Sequence, residues 1–490
     1  MQRVTSPRNH YVEWRTRRIT PALRDSRNDR PPEKLLQTIW QQQRLRREAL
    51  HTSDGEPVRI LHPGFRNFEA GPDFRGAFIQ FGEEQPLSGD VEIDLVTGGW
   101  RAHGHDRNPN FKNVILHVVW ENSAKTTVTR VGLRTLPLSE ALDSPLPELE
   151  RWLGGDSPSV WLESMRGRCC APLRELSPEQ INELLQQAAL VRLQSKAAEI
   201  QARARLSGWE QALWEGLFGA LGYKQNIWPM RRLAELRPEL FGGKDMSPLL
   251  VQARLLGASG LLPTDLNGDR TSRNDYLRSV WNLWWRERDR FSDMILPRAI
   301  WKFSGLRPAN HPQRRLALAA HWLAAGEELP IKLEHWMLRS SSEGFPARTD
   351  SLLEILQVKG DEFWSRHWTL KSAPMSRPQP LLGVNRVTDL AINVILPWMW
   401  LRANEGGNQS LQSMIERCYL SWPLAEDNSR LRLARQRLLG GAGRAVLKSA
   451  AAQQGLLQIM RDFCEHSNAI CEQCSFPDLV RAWPIAQRIA

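Results

Sequence analysis

The sequence predicts an α/β (α+β) N-terminal domain with a small mixed sheet, followed by a large mainly α-helical domain. Three observations carry this. One helical segment and four or five short β-type segments fall within about a hundred residues, the composition turns Pro/Gly/Ser-rich near residue 140, and helical periodicity dominates from there onward. At 490 residues the chain exceeds what one core serves, so more than one domain is expected. Its hydrophobic fraction of 41% is ordinary for a globular protein, and no run reaches membrane-spanning length.

Residues 1–31 are polar, Arg-rich and Pro-flanked, which reads as a disordered basic arm without the apolar stretch of a secretory signal. The α/β domain is placed at 32–140. Pro32 to Leu50 spaces Leu35, Leu36, Ile39, Trp40 and Leu45 helically, with Pro32 suited to the first turn. "SDGEP" (Ser53–Pro57) is a turn, and strands are expected at "VRIL" (58–61), "AFIQF" (77–81), "DVEIDLV" (90–96), "NVILHVVW" (113–120) and "TTVTRVG" (126–132). In the third of these Val91, Ile93 and Leu95 face one way and Asp90, Glu92 and Asp94 the other. The fourth is apolar on both faces except at His117, as in a strand covered on both sides.

Residues 141–175 read as a linker, and 176–490 as a helical domain with a C-terminal Cys cluster. Ser177-Pro178-Glu179-Gln180 has the composition of a capping box, and Ile181, Leu184, Leu185, Ala188 and Val191 share the face of the helix it starts. "WEQALWEGLFGAL" is a second helix, closed by Gly222 as a left-handed terminator. Six cysteines in a chain this long do not make a disulfide framework, so a reducing cytoplasm is expected. Cys464, His466, Cys471 and Cys474 could form a Zn²⁺ site, with plain buried or surface thiols as the alternative. A net charge of +11 favours a polyanionic partner, nucleic acid first, and with no run of membrane-spanning length no membrane is expected. Most of the Arg and Trp read as the coat and core of helices. In "GLRPANHPQRR", however, a turn before a helix would offer Arg307, Arg314 and Arg315 to phosphates.

The chemistry-bearing residues crowd between Asn67 and His117. Asp73 follows Gly71-Pro72 at the entrance to one strand, and Glu92 lies on the polar face of the next. Paired strands would bring both carboxylates to one edge, where they could hold Mg²⁺ or Mn²⁺ with positions left for water and a phosphate oxygen. Asp94 is a possible further ligand, and His103, His105 and Asp106 in the loop beyond could handle protons. The plainer reading is that the acids form the solvated face of a half-exposed sheet, and that His117 is a hydrogen-bonded core residue.

The segments "GEPVRILHPGFRNFEAGPDFRGAFIQF", "GDVEIDL", "GGWRAHGHDRNPNFKNVILHVVWE", "LGYKQN" and "RPANHPQRRLA" resemble an uncharacterised bacterial family known only as a domain of unknown function. The Asp-then-Glu arrangement also resembles the PD-(D/E)XK nuclease superfamily. That likeness implies metal binding by Asp73, after Pro72, and by Glu92; the superfamily's Lys position holds Asp94 instead. Three functions are therefore expected in turn: a metal-dependent phosphodiesterase of nucleic acid, a non-catalytic nucleic-acid binder or scaffold with a degenerate nuclease-like core, or a His/carboxylate metal hydrolase of another substrate.

Overall fold

A computed structural model describes residues 9–19, 30–67, 71–121, 133–153, 169–223, 225–242, 246–266, 275–325, 329–339, 345–358, 360–440, 447–464 and 474–489. It has an N-terminal mixed sheet with helices, followed by a large helical region. Among the described residues no helix is long and apolar enough to cross a membrane. Two compact units divide the chain: 1–202 together with 416–490, and 203–415. This cuts the sequence elsewhere than at 140 and 176, because the last helices pack with the first unit.

The sheet is built from β1 (Val58–His62), β2 (Phe65–Arg66), β3 (Phe74–Phe81), β4 (Leu87–Val96), β5 (Val114–Glu121) and β6 (Arg134–Pro137), in the order β1-β3-β4-β5-β6 with β2 also on β3. β1, β3 and β4 run antiparallel in a meander; β5 and β6 then add in parallel. The four expected strands from 58 to 120 are present. The fifth, at 126–132, lies outside the described residues, and β6 follows it.

One face of the sheet is the apolar core. Val91 and Ile93 of β4 and Leu116, Val118 and Trp120 of β5 meet Leu36, Ile39 and Trp40 of helix α2 (Glu33–Gln42). α2 stops short of Leu50 because Gln43 turns left-handed, with φ 51°. Within the expected linker, Leu149 and Leu153 of helix α4 (Leu146–Leu153) are buried in this same core, so residues 146–153 belong to the domain and not to a linker. The short helix α3 (Gly99–Ala102) and two 3₁₀ turns cover the other face of β4.

A second core in the same unit corrects another expectation. Residues 10–19 of the supposed disordered arm form helix α1 (His10–Ile19), whose Tyr11 and Trp14 are buried among Phe463, Phe476 and Trp483. The Tyr11 hydroxyl donates to Asp462 at 2.7 Å. Buried aromatics of this size outweigh the polar composition around them. Helix α5 (Cys170–Glu175) and helix α6 (Pro178–Ser207) follow. α6 starts with the expected capping box, Gln180 N–H to Ser177 Oγ and Ser177 N–H to Gln180 Oε1. Its predicted apolar face is buried.

In the second unit, helix α7 (Trp209–Leu221) ends at Gly222, but with φ −73° rather than left-handed. The glycine is required by space: a Cβ there would sit 2.2 Å from the Asn226 carbonyl oxygen.

One irregularity places the site. The β3/β4 register slips by one residue between Phe74↔Val91 and Ala77↔Gly89, a bulge with Gly76 at φ +65°. Ala77, Ile79 and Phe81 face the core, so strict alternation would send Asp73 there too. The extra residue instead turns Phe74 inward and moves Asp73 to the face that carries Glu92 and Asp94. Nothing surrounds the missing Gly76 side chain, so its requirement is conformational. Gly76→Val should therefore cost about 1–2 kcal/mol in chemical denaturation, and Gly76→Asn distinctly less, since Asn tolerates this region. Equal losses for the two would show that the bulge does not need a left-handed residue.

Candidate metal centre

On the polar face, Asp73 and Glu92 are tied to each other's strands. Asp73 N–H donates to Glu92 Oε2 at 3.0 Å, and Ile93 N–H donates to Asp73 Oδ2 at 3.2 Å. Gln37 of α2 donates to Asp73 Oδ1 at 2.9 Å, and itself accepts from Arg66 at 2.7 Å. Glu92 and Asp94 are not part of a solvated face, although Asp90 at the start of β4 is half-exposed. Glu92 is 7% exposed and Asp94 2%, beneath the cover supplied by α3 and the loop that follows.

That loop is shaped by glycines. Gly99 lies so close to Asp94 that a Cβ would meet its carboxyl carbon at 2.6 Å. Gly104, at φ +71°, reverses the chain between His103 and His105 and brings their rings to 5.4 Å. His103 Nδ1 lies 3.0 Å from Asp94 Oδ1, and His117 Nε2 lies 2.8 Å from Asp94 Oδ2. His105 Nε2 is 3.1 Å from Glu92 Oε1 but off the axis of a hydrogen bond, and this buried nitrogen has no hydrogen-bond partner. Its ring stacks on Phe111 at 4.0 Å and meets Trp100 edge-on at 5.4 Å. The walls are thus aromatic and the floor acidic.

Among the described residues, Asp94, His103 and His105 each offer a ligand atom, all within 4.8 Å of one another. The structure brings these together with Glu92, while Asp73 stands beside Glu92 and outside that set of three. Asp106 is at the rim, more than a third exposed, 3.9 Å from Arg107. His117 is the hydrogen-bonded core residue expected of it: it is fully buried, lies opposite Glu92 in the parallel β4/β5 register and bonds Asp94. Two participants escaped the sequence reading. Glu33 and Gln37 form an i,i+4 polar pair on helix α2, with Gln37 buried beside the apolar face.

Electrostatics follows from burial. Desolvation, then the neighbouring Glu33 charge, raises Asp73 to about 7 from its ordinary 3.8. Desolvation, then Asp73, raises Glu92 to about 9 from 4.5. Glu33 is also raised, by burial and then by Asp94, and burial lowers His105. Glu33, Asp73, Glu92 and Asp94 disfavour one another's ionised forms, which a divalent cation would restore. Imidazole with carboxylate suits Mn²⁺ or Zn²⁺ better than Mg²⁺, which prefers an all-oxygen set.

The other expected sites fare differently. Arg314 is fully buried and donates to the carbonyls of Trp364, His367, Gln379 and Pro380, while Arg315 donates to the Leu381 carbonyl, Tyr223 and Asn310. Neither is offered to phosphates: both organise the irregular segment after residue 360. Arg307 is exposed. At the Cys cluster, Cys464 and Cys474 border the second core, with the Cys474 thiol 3.8 Å from the Phe463 carbonyl; His466 and Cys471 lie outside the described residues.

A family model described as "Protein of unknown function (DUF2851)" matches residues 33–429. The chain belongs to this family. No curated protein and no solved structure matches it. The DUF2851 match contains the whole acidic–histidine cluster, from Glu33 to His117.

The raised acids give a pH dependence with a definite sign. Without a cation the folded state favours protonated Asp73 and Glu92. The stability this gives is full below their ordinary values and is lost as pH rises through about 7 and then about 9. Calorimetry of the metal-free protein should show Tm falling across that window, and Mn²⁺ should raise Tm more near pH 8 than near pH 6. An equal Mn²⁺ effect at both would contradict a proton-coupled site.

Proposed function

We propose that the protein is a metal-dependent phosphodiesterase acting on nucleic acid. The observation that carries this reading is the interlock of Asp73 and Glu92 across β3 and β4, with Asp94, His103 and His105 closing on the same face. Glu92, Asp94 and His105 would hold the cation, which when bound would polarise the phosphate and lower the pKa of a water. Asp73 fixes Glu92 through the backbone, and His117 holds the second oxygen of Asp94. His103, 54% exposed at the mouth, takes the proton of the attacking water. The Lys of the nuclease likeness is replaced by Asp94, whose two oxygens are each taken by an imidazole. Proton handling accordingly falls to the histidines.

Nucleic acid as substrate is supported by the net charge of +11 and by a surface in the second unit. There Trp285, 36% exposed, lies 4.8 Å from Trp281 and beneath the Arg288 guanidinium at 4.3 Å, a stack that a base could extend.

The expected result is Mn²⁺-dependent cleavage of single-stranded, duplex or branched nucleic acid. Glu92→Gln and Asp94→Asn should each lower it about 100-fold or more, and His117→Ala about 10- to 100-fold, with circular dichroism unchanged. Salt-dependent binding of nucleic acid without turnover would select the non-catalytic reading instead. The histidine-rich ligand set favours a second reading, a hydrolase of another substrate. Tight Zn²⁺ with no affinity for nucleic acid would select that one.

A further inference from the structure

Helix α2 carries a buried amide beside its core-facing residues. Leu36, Ile39 and Trp40 enter the sheet core, while Gln37, 8% exposed, bonds to charged side chains. Its nitrogen donates to Glu33 Oε1 at 3.2 Å and to Asp73 Oδ1 at 2.9 Å, and its oxygen accepts from the Arg66 guanidinium at 2.7 Å. The partners fix the sense of this amide, because an ionised carboxylate has no proton to donate and a guanidinium has no lone pair to offer.

Asp73 stands between this amide and the candidate ligands. Gln37 holds its Oδ1, and the Ile93 N–H holds its Oδ2 at 3.2 Å. The Asp73 N–H in turn holds Glu92 Oε2 at 3.0 Å, while Glu92 Oε1 lies 3.1 Å from His105 Nε2. The series Arg66, Gln37, Asp73, Glu92 therefore runs from β2 through α2 to the entrance of β3 and on to β4. The absence of charge at position 37 has a physical consequence. A lysine or arginine there would neutralise the carboxylates in place of a bound cation, and an apolar residue would leave Asp73 Oδ1 without this donor. An amide orients the acids and leaves their charge available.

We infer that Gln37 is a positioning residue of the metal centre. It is an uncharged relay that holds Asp73, and through Asp73 the ligand Glu92, in the arrangement that receives a divalent cation. This rests on the metal-dependent reading of that centre and requires no particular substrate.

The test is calorimetric titration of the full chain with Mn²⁺, with the visible spectrum of the Co²⁺-loaded protein as a report on ligand geometry. Gln37→Met keeps the reach of the side chain and removes all three hydrogen bonds. It should lower Mn²⁺ affinity about tenfold or more and alter the Co²⁺ spectrum. Gln37→Asn keeps the amide but is one methylene too short to span its partners, and should change both readouts in the same direction. Thr38→Val is the control. Thr38 is fully buried and its hydroxyl donates to the Lys34 carbonyl at 2.9 Å within α2, so its loss should lower Tm and leave both metal readouts unmoved. A Gln37 that only stabilised the fold would behave like Thr38, and unmoved affinity and spectrum in both Gln37 variants would overturn the assignment. Failure of the unaltered protein to bind Mn²⁺ would instead remove the metal centre itself, and this inference with it.

Discussion

Between β3 and β4 two carboxylates each accept a backbone amide of the other's strand, Asp73 N–H to Glu92 and Ile93 N–H to Asp73, and much of the first unit is arranged to tolerate that contact. Burying like charges side by side is costly, and the cost is visible in the raised pKa of Asp73 and Glu92. The surroundings offset it only in part. Backbone N–H groups and Gln37 satisfy Asp73, imidazoles satisfy Asp94, and the charge of Arg66 lowers Asp73 by less than burial and Glu33 raise it. A sheet could have been stabilised far more cheaply by apolar residues at 73, 92 and 94. Their presence beneath an aromatic cover, beside an unpartnered imidazole nitrogen, is what makes the face a site and not a core.

The helical unit handles polarity in the opposite way. Arg314 and Arg315 face backbone carbonyls instead of carboxylates, and each guanidinium stitches together chain that no ladder of hydrogen bonds supports. Arg314 and Arg315 sit in a motif that looks made for phosphates, yet their heads point inward. An exposed helix start and a buried one have the same sequence signature; burial depends on what packs over them, here the segment from 360 to 383.

Much of the fold was legible. β1, β3, β4 and β5 stand where alternation and β-branched content placed them, and the capping box before α6 forms with both reciprocal bonds. Local chemistry decides such features. Readings failed where a distant partner decides. Tyr11 and Trp14 are two aromatics in a polar stretch until residues over four hundred positions away cover them, and Leu149 and Leu153 look like linker until the sheet core receives them. The site lies between these cases. Its residue types were readable, as was the convergence of Asp94 with His103 and His105, because a Gly-spaced pair of histidines immediately follows the acidic strand.

By itself the sequence determined the strand pattern, the helical remainder and the concentration of acids and imidazoles between residues 73 and 117, since each depends on neighbours within a few positions. Tertiary structure alone decided which way Asp73 faces. Alternation from Ala77, Ile79 and Phe81 assigns it to the apolar side, and one left-handed residue at Gly76 moves it to the other. The physical reason is that a strand's side chains follow a period of two only while its register is unbroken, and a bulge forms by pairing with a second strand.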